Sequence, residues 1–71
     1  MKDSRLHKGI VTEALPGTLF RVQLAETGSV VLCTVSGRMR INNIRVALND
    51  TVYLVLSPDG GRGRIEKRLF T

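Results

Sequence analysis

The stretch "GIVTEALPGTLFRVQLAETGSVVLCTVSG", Gly9 to Gly37, leaves few folds open. It is rich in β-branched residues and is cut by turn signals at intervals of about 8 to 12 positions, the spacing of an all-β sandwich or barrel. Within it "FRVQL" alternates strictly, with Phe20, Val22 and Leu24 on one face and Arg21 and Gln23 on the other. That period of two belongs to a half-buried strand whose apolar face looks into a core. Pro16-Gly17 stands between two apolar runs. Proline presets the first angle of a tight turn and glycine accepts positive φ, so a hairpin is expected there.

Two further runs, "SVVLCTV" and "TVYLVL", have strand length and are apolar enough to be buried on most of their surface. After the loop "SPDGGRG", "RIEKRLF" sets Ile65, Lys67 and Leu69 against Arg64, Glu66 and Arg68, which predicts a last strand with one charged face. The predicted strands run over residues 6–15, 19–24, 29–35, 50–56 and 63–69. An insert over 36–49 lies between the third and fourth, where a five-stranded Greek-key oligonucleotide-binding (OB) barrel has its crossover. In the insert Ile41, Ile44 and Leu48 recur at helical spacing, so one helical turn sealing the barrel bottom is expected, with Asn42-Asn43 breaking it.

At 71 residues the chain makes one domain, with residues 1–5 expected as a flexible lead. A chain of this size buries only about 60% of the surface its unfolded form exposes, which leaves little room for an enclosed active site. No apolar run approaches the roughly 18 residues of a membrane span, and "MKDSRLHKGIV" lacks the apolar centre of a secretory signal. One cysteine allows no internal disulfide and favours a reducing compartment.

The chemistry-bearing residues are sparse. His7 is the only histidine and Cys33 the only cysteine. His7 is expected at the surface and Cys33 in the core or just under the surface, and neither has a sequence partner for nucleophilic or acid–base catalysis. No CxxC, HExxH or Asp-rich loop suggests a metal. "GGRGR" lacks the spacing of a phosphate-binding loop. Neither an enzyme nor a cofactor is expected.

What remains is charge. Eleven Lys and Arg against six Asp and Glu give a net +5 and a pI near 10.4, which points to a polyanionic partner. No amphipathic helical pattern favours a membrane surface. Between Glu26 and Asp50 there is no acid, and Arg38, Arg40 and Arg45 fall in that interval. Arg62, Arg64, Lys67 and Arg68 form a second group. Guanidinium forks grip phosphate oxygens bidentately, so groups this rich in arginine favour nucleic acid over a merely solvated surface. The aromatics are Phe20, Tyr53 and Phe70, with Phe20 facing the core. No stacking platform for single strands is expected from these; a folded RNA read by shape and phosphates fits better.

Over nearly its whole length the chain resembles bacterial and plastid translation initiation factor one, through "GIVTEALPGTLFRVQL", "VSGRMRINNIRV" and "GRGRI" in matching order and separation. The resemblance implies a single OB barrel and non-enzymatic binding in the A site of the small ribosomal subunit, between its RNA and a ribosomal protein. It also implies work with the other initiation factors to place initiator tRNA and promote subunit dissociation. It implies no cofactor, a monomer, and a cytoplasmic or plastid-stromal location. By the same resemblance Arg38, Met39, Arg40 and Arg45 fall on the ribosome-contacting segment and Arg64 on the C-terminal basic strand. Ile41 stands where many members carry Lys, and Thr34 where His is common. Two other readings stay open: a cold-shock-like single-stranded RNA chaperone, and a protein-interaction barrel whose arginines are solubilising.

Overall fold

The computed structural model describes residues 6–41 and 45–69; the expected lead at 1–5, the Asn42-Asn43 break and Ile44 lie outside them. The strands are β1 (Leu6–Leu15), β2 (Leu19–Leu24), β3 (Val30–Val35), β4 (Thr51–Leu56) and β5 (Arg62–Arg68), with one helix, α1 (Gly37–Ile41), between β3 and β4. They close into a barrel in the order β1-β2-β3-β5-β4, with β4 returning to β1 and the β3–β5 pair parallel. This is the expected five-stranded OB architecture, and the strand ends fall within a residue of those read from sequence.

The alternation in β2 builds the core. Phe20, Val22 and Leu24 are buried while Arg21 and Gln23 are exposed. Cross-strand partners stack the interior in layers: Val11 beside Val22 beside Val31, Phe20 beside Cys33, and Leu54 beside Ile65. Each such side chain contributes about 1.5–3 kcal/mol when fully buried. The Pro16-Gly17 turn forms as expected, with Gly17 at φ 78° and Thr18 at φ 58°. Gly63 is required for another reason. A Cβ there would lie 2.6 Å from Leu54 Cδ1 and 2.9 Å from Cys33 Sγ, so β5 approaches the core as closely as it does only without a side chain.

Two sequence expectations are corrected. The helical turn lies earlier than the Ile41–Ile44–Leu48 spacing suggested, and neither Ile41 nor Leu48 plugs the barrel: Ile41 is 85% exposed and Leu48 56%. Met39, 1% exposed, is the plug. The cause is Ser36, at 4% exposure, which ends β3 and starts α1. Its N–H donates to Ile65 O (2.9 Å), its carbonyl accepts from Arg40 N (3.2 Å), and its Oγ accepts from Met39 N (3.3 Å). This N-cap fixes the helix's phase and turns the third residue of the capped turn inward.

The alternation across "RIEKRLF" also fails. Ile65 pairs with Leu54 but Lys67, not Glu66, pairs with Tyr53, so Glu66 is an extra residue in β5. Such a bulge reverses which face the following residues take. Lys67 is therefore exposed, and Arg68 lies across from buried Val52 with its side chain part-buried.

Candidate nucleic-acid interface

Capping by Ser36 presents Arg38 and Arg40 to solvent on either side of the buried Met39. Met39, expected at the RNA, has its side chain in the core and acts as the anchor of the segment. Arg40 reaches back to the β1–β2 turn, where its Nη2 donates to Thr18 Oγ1 at 3.3 Å. Arg45, exposed, lines the same groove as Arg40, with Thr18, Phe20, Val35 and Val46. The groove encloses about 250 Å³ and has an apolar floor under two guanidinium groups. Residues 22 positions apart in sequence, Thr18 and Arg40, thus meet at one mouth of the barrel.

The chain after Arg45 is held firmly. Asp50 Oδ2 accepts from Ala47 N (2.7 Å), and Asp50 N donates to Ala47 O (3.1 Å). Asn49 N donates to Val11 O (2.8 Å) while Val11 N donates to Asp50 O (2.9 Å), tying the segment to β1. Arg68 adds an ion pair from β5, Nε to Asp50 Oδ2 at 2.9 Å. Thr18 and Asp50 are positioning residues that sequence reading did not single out. The signal for Asp50 was its place as the first acid after the arginine segment.

The second basic group does not form one patch. Arg62 and Arg64 lie beside Leu32 and Thr34 in the parallel register of β3 and β5 and line a shallow depression of about 310 Å³ with Val55, Leu56 and Ser57. Arg64 pairs with Glu66 on its own strand, with 62% of its side chain exposed. Arg64 lies across from Thr34, the residue before Val35, which lines the separate groove of Arg40 and Arg45. Lys67 sits instead on the outer wall of β4 and β5, and Arg68 is engaged by Asp50.

Cys33 is fully buried, and burial pushes its thiol up from the usual 9.0 to about 11, far from a nucleophilic thiolate at neutral pH. His7 Nδ1 lies 3.5 Å from Glu26. Asp59 accepts from Ser57 Oγ (2.6 Å) and Gly61 N (2.9 Å), which hold its carboxyl below the usual range and shape the β4–β5 loop. Among the described residues no group of three His, Cys, Asp or Glu could hold a metal, and no helix is long and apolar enough to cross a membrane.

An OB barrel with arginines gathered at one mouth suits a folded RNA, and the likenesses to known proteins agree. Residues 2–71 match the family described as translation initiation factor 1A / IF-1. The solution structure of bacterial translation initiation factor one from the Wolbachia endosymbiont strain TRS of Brugia malayi superposes with a TM-score of 0.72 and 35% identity, over 97% of this chain and 84% of that one. The crystal structure of YjeQ from Thermotoga maritima superposes with a TM-score of 0.76 and 29% identity over 92% of this chain. The chain spans only 23% of YjeQ's length, so that likeness concerns one barrel within a larger protein. With the match running through almost every residue, the chain belongs to the translation initiation factor 1A / IF-1 family.

Proposed function

We propose that this protein acts by binding, without catalysis, in the A site of the small ribosomal subunit. It contacts ribosomal RNA phosphates and a ribosomal protein there, and works with the other initiation factors to place initiator tRNA. The observation that carries the reading is the groove in which Arg40 and Arg45 stand over an apolar floor, on a segment without acids. Arg38, beside Arg40 in α1, and Arg62, beside Arg64 in β5, are exposed as further cationic contacts. Phosphate contacts set the position and orientation of a protein on RNA, and shape supplies the selectivity. The protein works as a monomer, in the cytoplasm or a plastid stroma. Cys33 inside the core and His7 against Glu26 suit a binding role better than a reactive one.

The test is co-sedimentation with purified small subunits. The parent is retained and Arg40→Ala is retained roughly tenfold more weakly, the scale of a charge-assisted contact of about 1.5–3 kcal/mol. Equal retention of the two would reject this docking surface.

A further inference from the structure

The bulge at Glu66 has an effect on the far wall of the barrel. By shifting the register of β5 it brings Lys67 beside Tyr53, and Tyr53 is in turn paired with Lys8 of β1. The row Lys8–Tyr53–Lys67 crosses three adjacent strands, with both lysines exposed and the tyrosine half-buried between them. Neighbouring strands lie about 4.8 Å apart, so the two lysines start roughly 10 Å from each other, on either side of the one aromatic ring. The next row is apolar. Ile10 pairs with Thr51, and Leu69 donates its N–H to Thr51 O at 2.9 Å; Ile10 is 46% exposed and Leu69 42%. Among the described residues neither lysine has a carboxylate at ion-pair distance, whereas Arg21, Arg64 and Arg68 all do. In the closed order β1-β2-β3-β5-β4, β4 stands opposite the β2–β3 edge. The groove of Arg40 and Arg45 opens beside β2 and β3, across the barrel from β4.

We propose that this wall is a second nucleic-acid site, one that takes single-stranded RNA. A base stacks on the Tyr53 ring, the phosphates on either side of it meet Lys8 and Lys67, and Ile10 and Leu69 lie under the neighbouring sugar or base. Duplex RNA is excluded, because its paired bases offer no free face to the ring. A bare polyanion gains only the lysine contacts. The site is separate from the arginine groove and does not require it.

Tyr53 reports on itself, being the only tyrosine in a chain without tryptophan. The intact protein is titrated with a single-stranded hexauridylate, a self-complementary RNA duplex and polyglutamate while tyrosine emission is followed. Hexauridylate quenches the emission; the duplex and polyglutamate do not. Binding of labelled hexauridylate, read by anisotropy, is kept by Tyr53→Phe and falls about fivefold or more in Tyr53→Thr. Lys8→Ala and Lys67→Ala each make the slope of log affinity against log salt shallower by about 0.7. All four variants keep parental retention on small subunits, and Arg40→Ala keeps parental hexauridylate binding, so this site and the ribosomal reading fail separately. No hexauridylate binding, binding without quenching, equal quenching by polyglutamate, or full affinity in Tyr53→Thr would each overturn the proposal.

Discussion

Arg68 holds Asp50 at the end of the barrel, its Nε 2.9 Å from Oδ2 and its Nη2 donating to Oδ1 at 3.4 Å. Their side chains are 29% and 19% exposed, so the pair is shielded more than an ordinary surface bridge. Asp50 also accepts from Ala47 N. It is therefore the clasp that sets the chain following Arg45, and Arg68 serves it from β5.

Removing Asp50 should consequently cost more than removing Arg68. Asp50→Ala loses the ion pair and leaves Ala47 N without its acceptor, a cost of about 1–3 kcal/mol in urea unfolding. Arg68→Ala leaves the Ala47–Asp50 hydrogen bond in place and should fall at or below the lower end of that range. It should also leave the salt dependence of subunit binding unchanged, since its charge is already engaged. An Arg68→Ala variant with a clearly shallower salt slope would return Arg68 to the RNA-contacting set.

The phase of α1 gives a second comparison. Met39→Ala empties a site in the barrel end and should cost about 2–5 kcal/mol, while Met39→Leu keeps the volume and should cost less than about 1.5 kcal/mol. Ile41→Ala, at an exposed position, should change stability by less than about 0.5 kcal/mol. Thermal or urea unfolding of the three variants checks the order. Ile41→Ala costing more than Met39→Ala would mean that the helix turns its other face to the core.

Cys33 predicts an alkaline limit to stability. Its thiol is neutral and buried in the folded state, with its pKa raised from 9.0 to about 11 by desolvation. The unfolded chain therefore releases this proton first, and stability drops as pH rises from about 9 to about 11. Below pH 9 the contribution is complete. Cys33→Ala starts less stable because of its cavity but should show a flatter decline across that window, measured by urea midpoints at each pH. Parallel profiles for parent and variant would mean that Cys33 is not titrating from a buried site.

What could be read from sequence was whatever depended on local period. "FRVQL" has uninterrupted alternation, and Phe20, Val22 and Leu24 are in the core. The Pro16-Gly17 turn carries its own chemistry, and the turn formed where that chemistry stands. Two failures have separate causes. The helix phase was set by Ser36, whose buried hydroxyl and N–H are spent on Met39 N and Ile65 O, and an apolar count centred on Ile41 gives no weight to a cap. The face of Lys67 and Arg68 was set by one extra residue, Glu66, and a bulge leaves the letters of an alternating pattern in place while reversing their meaning. The candidate site was legible as arginine clusters, but their grouping was not. Pairing of Arg68 with Asp50 and of Arg40 with Thr18 depends on which strands the barrel brings together.

The central claim is that Arg38, Arg40, Arg45, Arg62 and Arg64 dock the protein on small-subunit RNA through phosphates. The most direct measurement is the affinity for purified small subunits as a function of salt, for the parent and for Arg40→Ala. At roughly 0.7–0.9 per phosphate, five contacts predict a parent slope of log affinity against log salt between about −3.5 and −4.5, shallower by about one unit in Arg40→Ala. A parent slope near zero, or an Arg40→Ala variant that binds more weakly at an unchanged slope, would contradict phosphate docking by this surface.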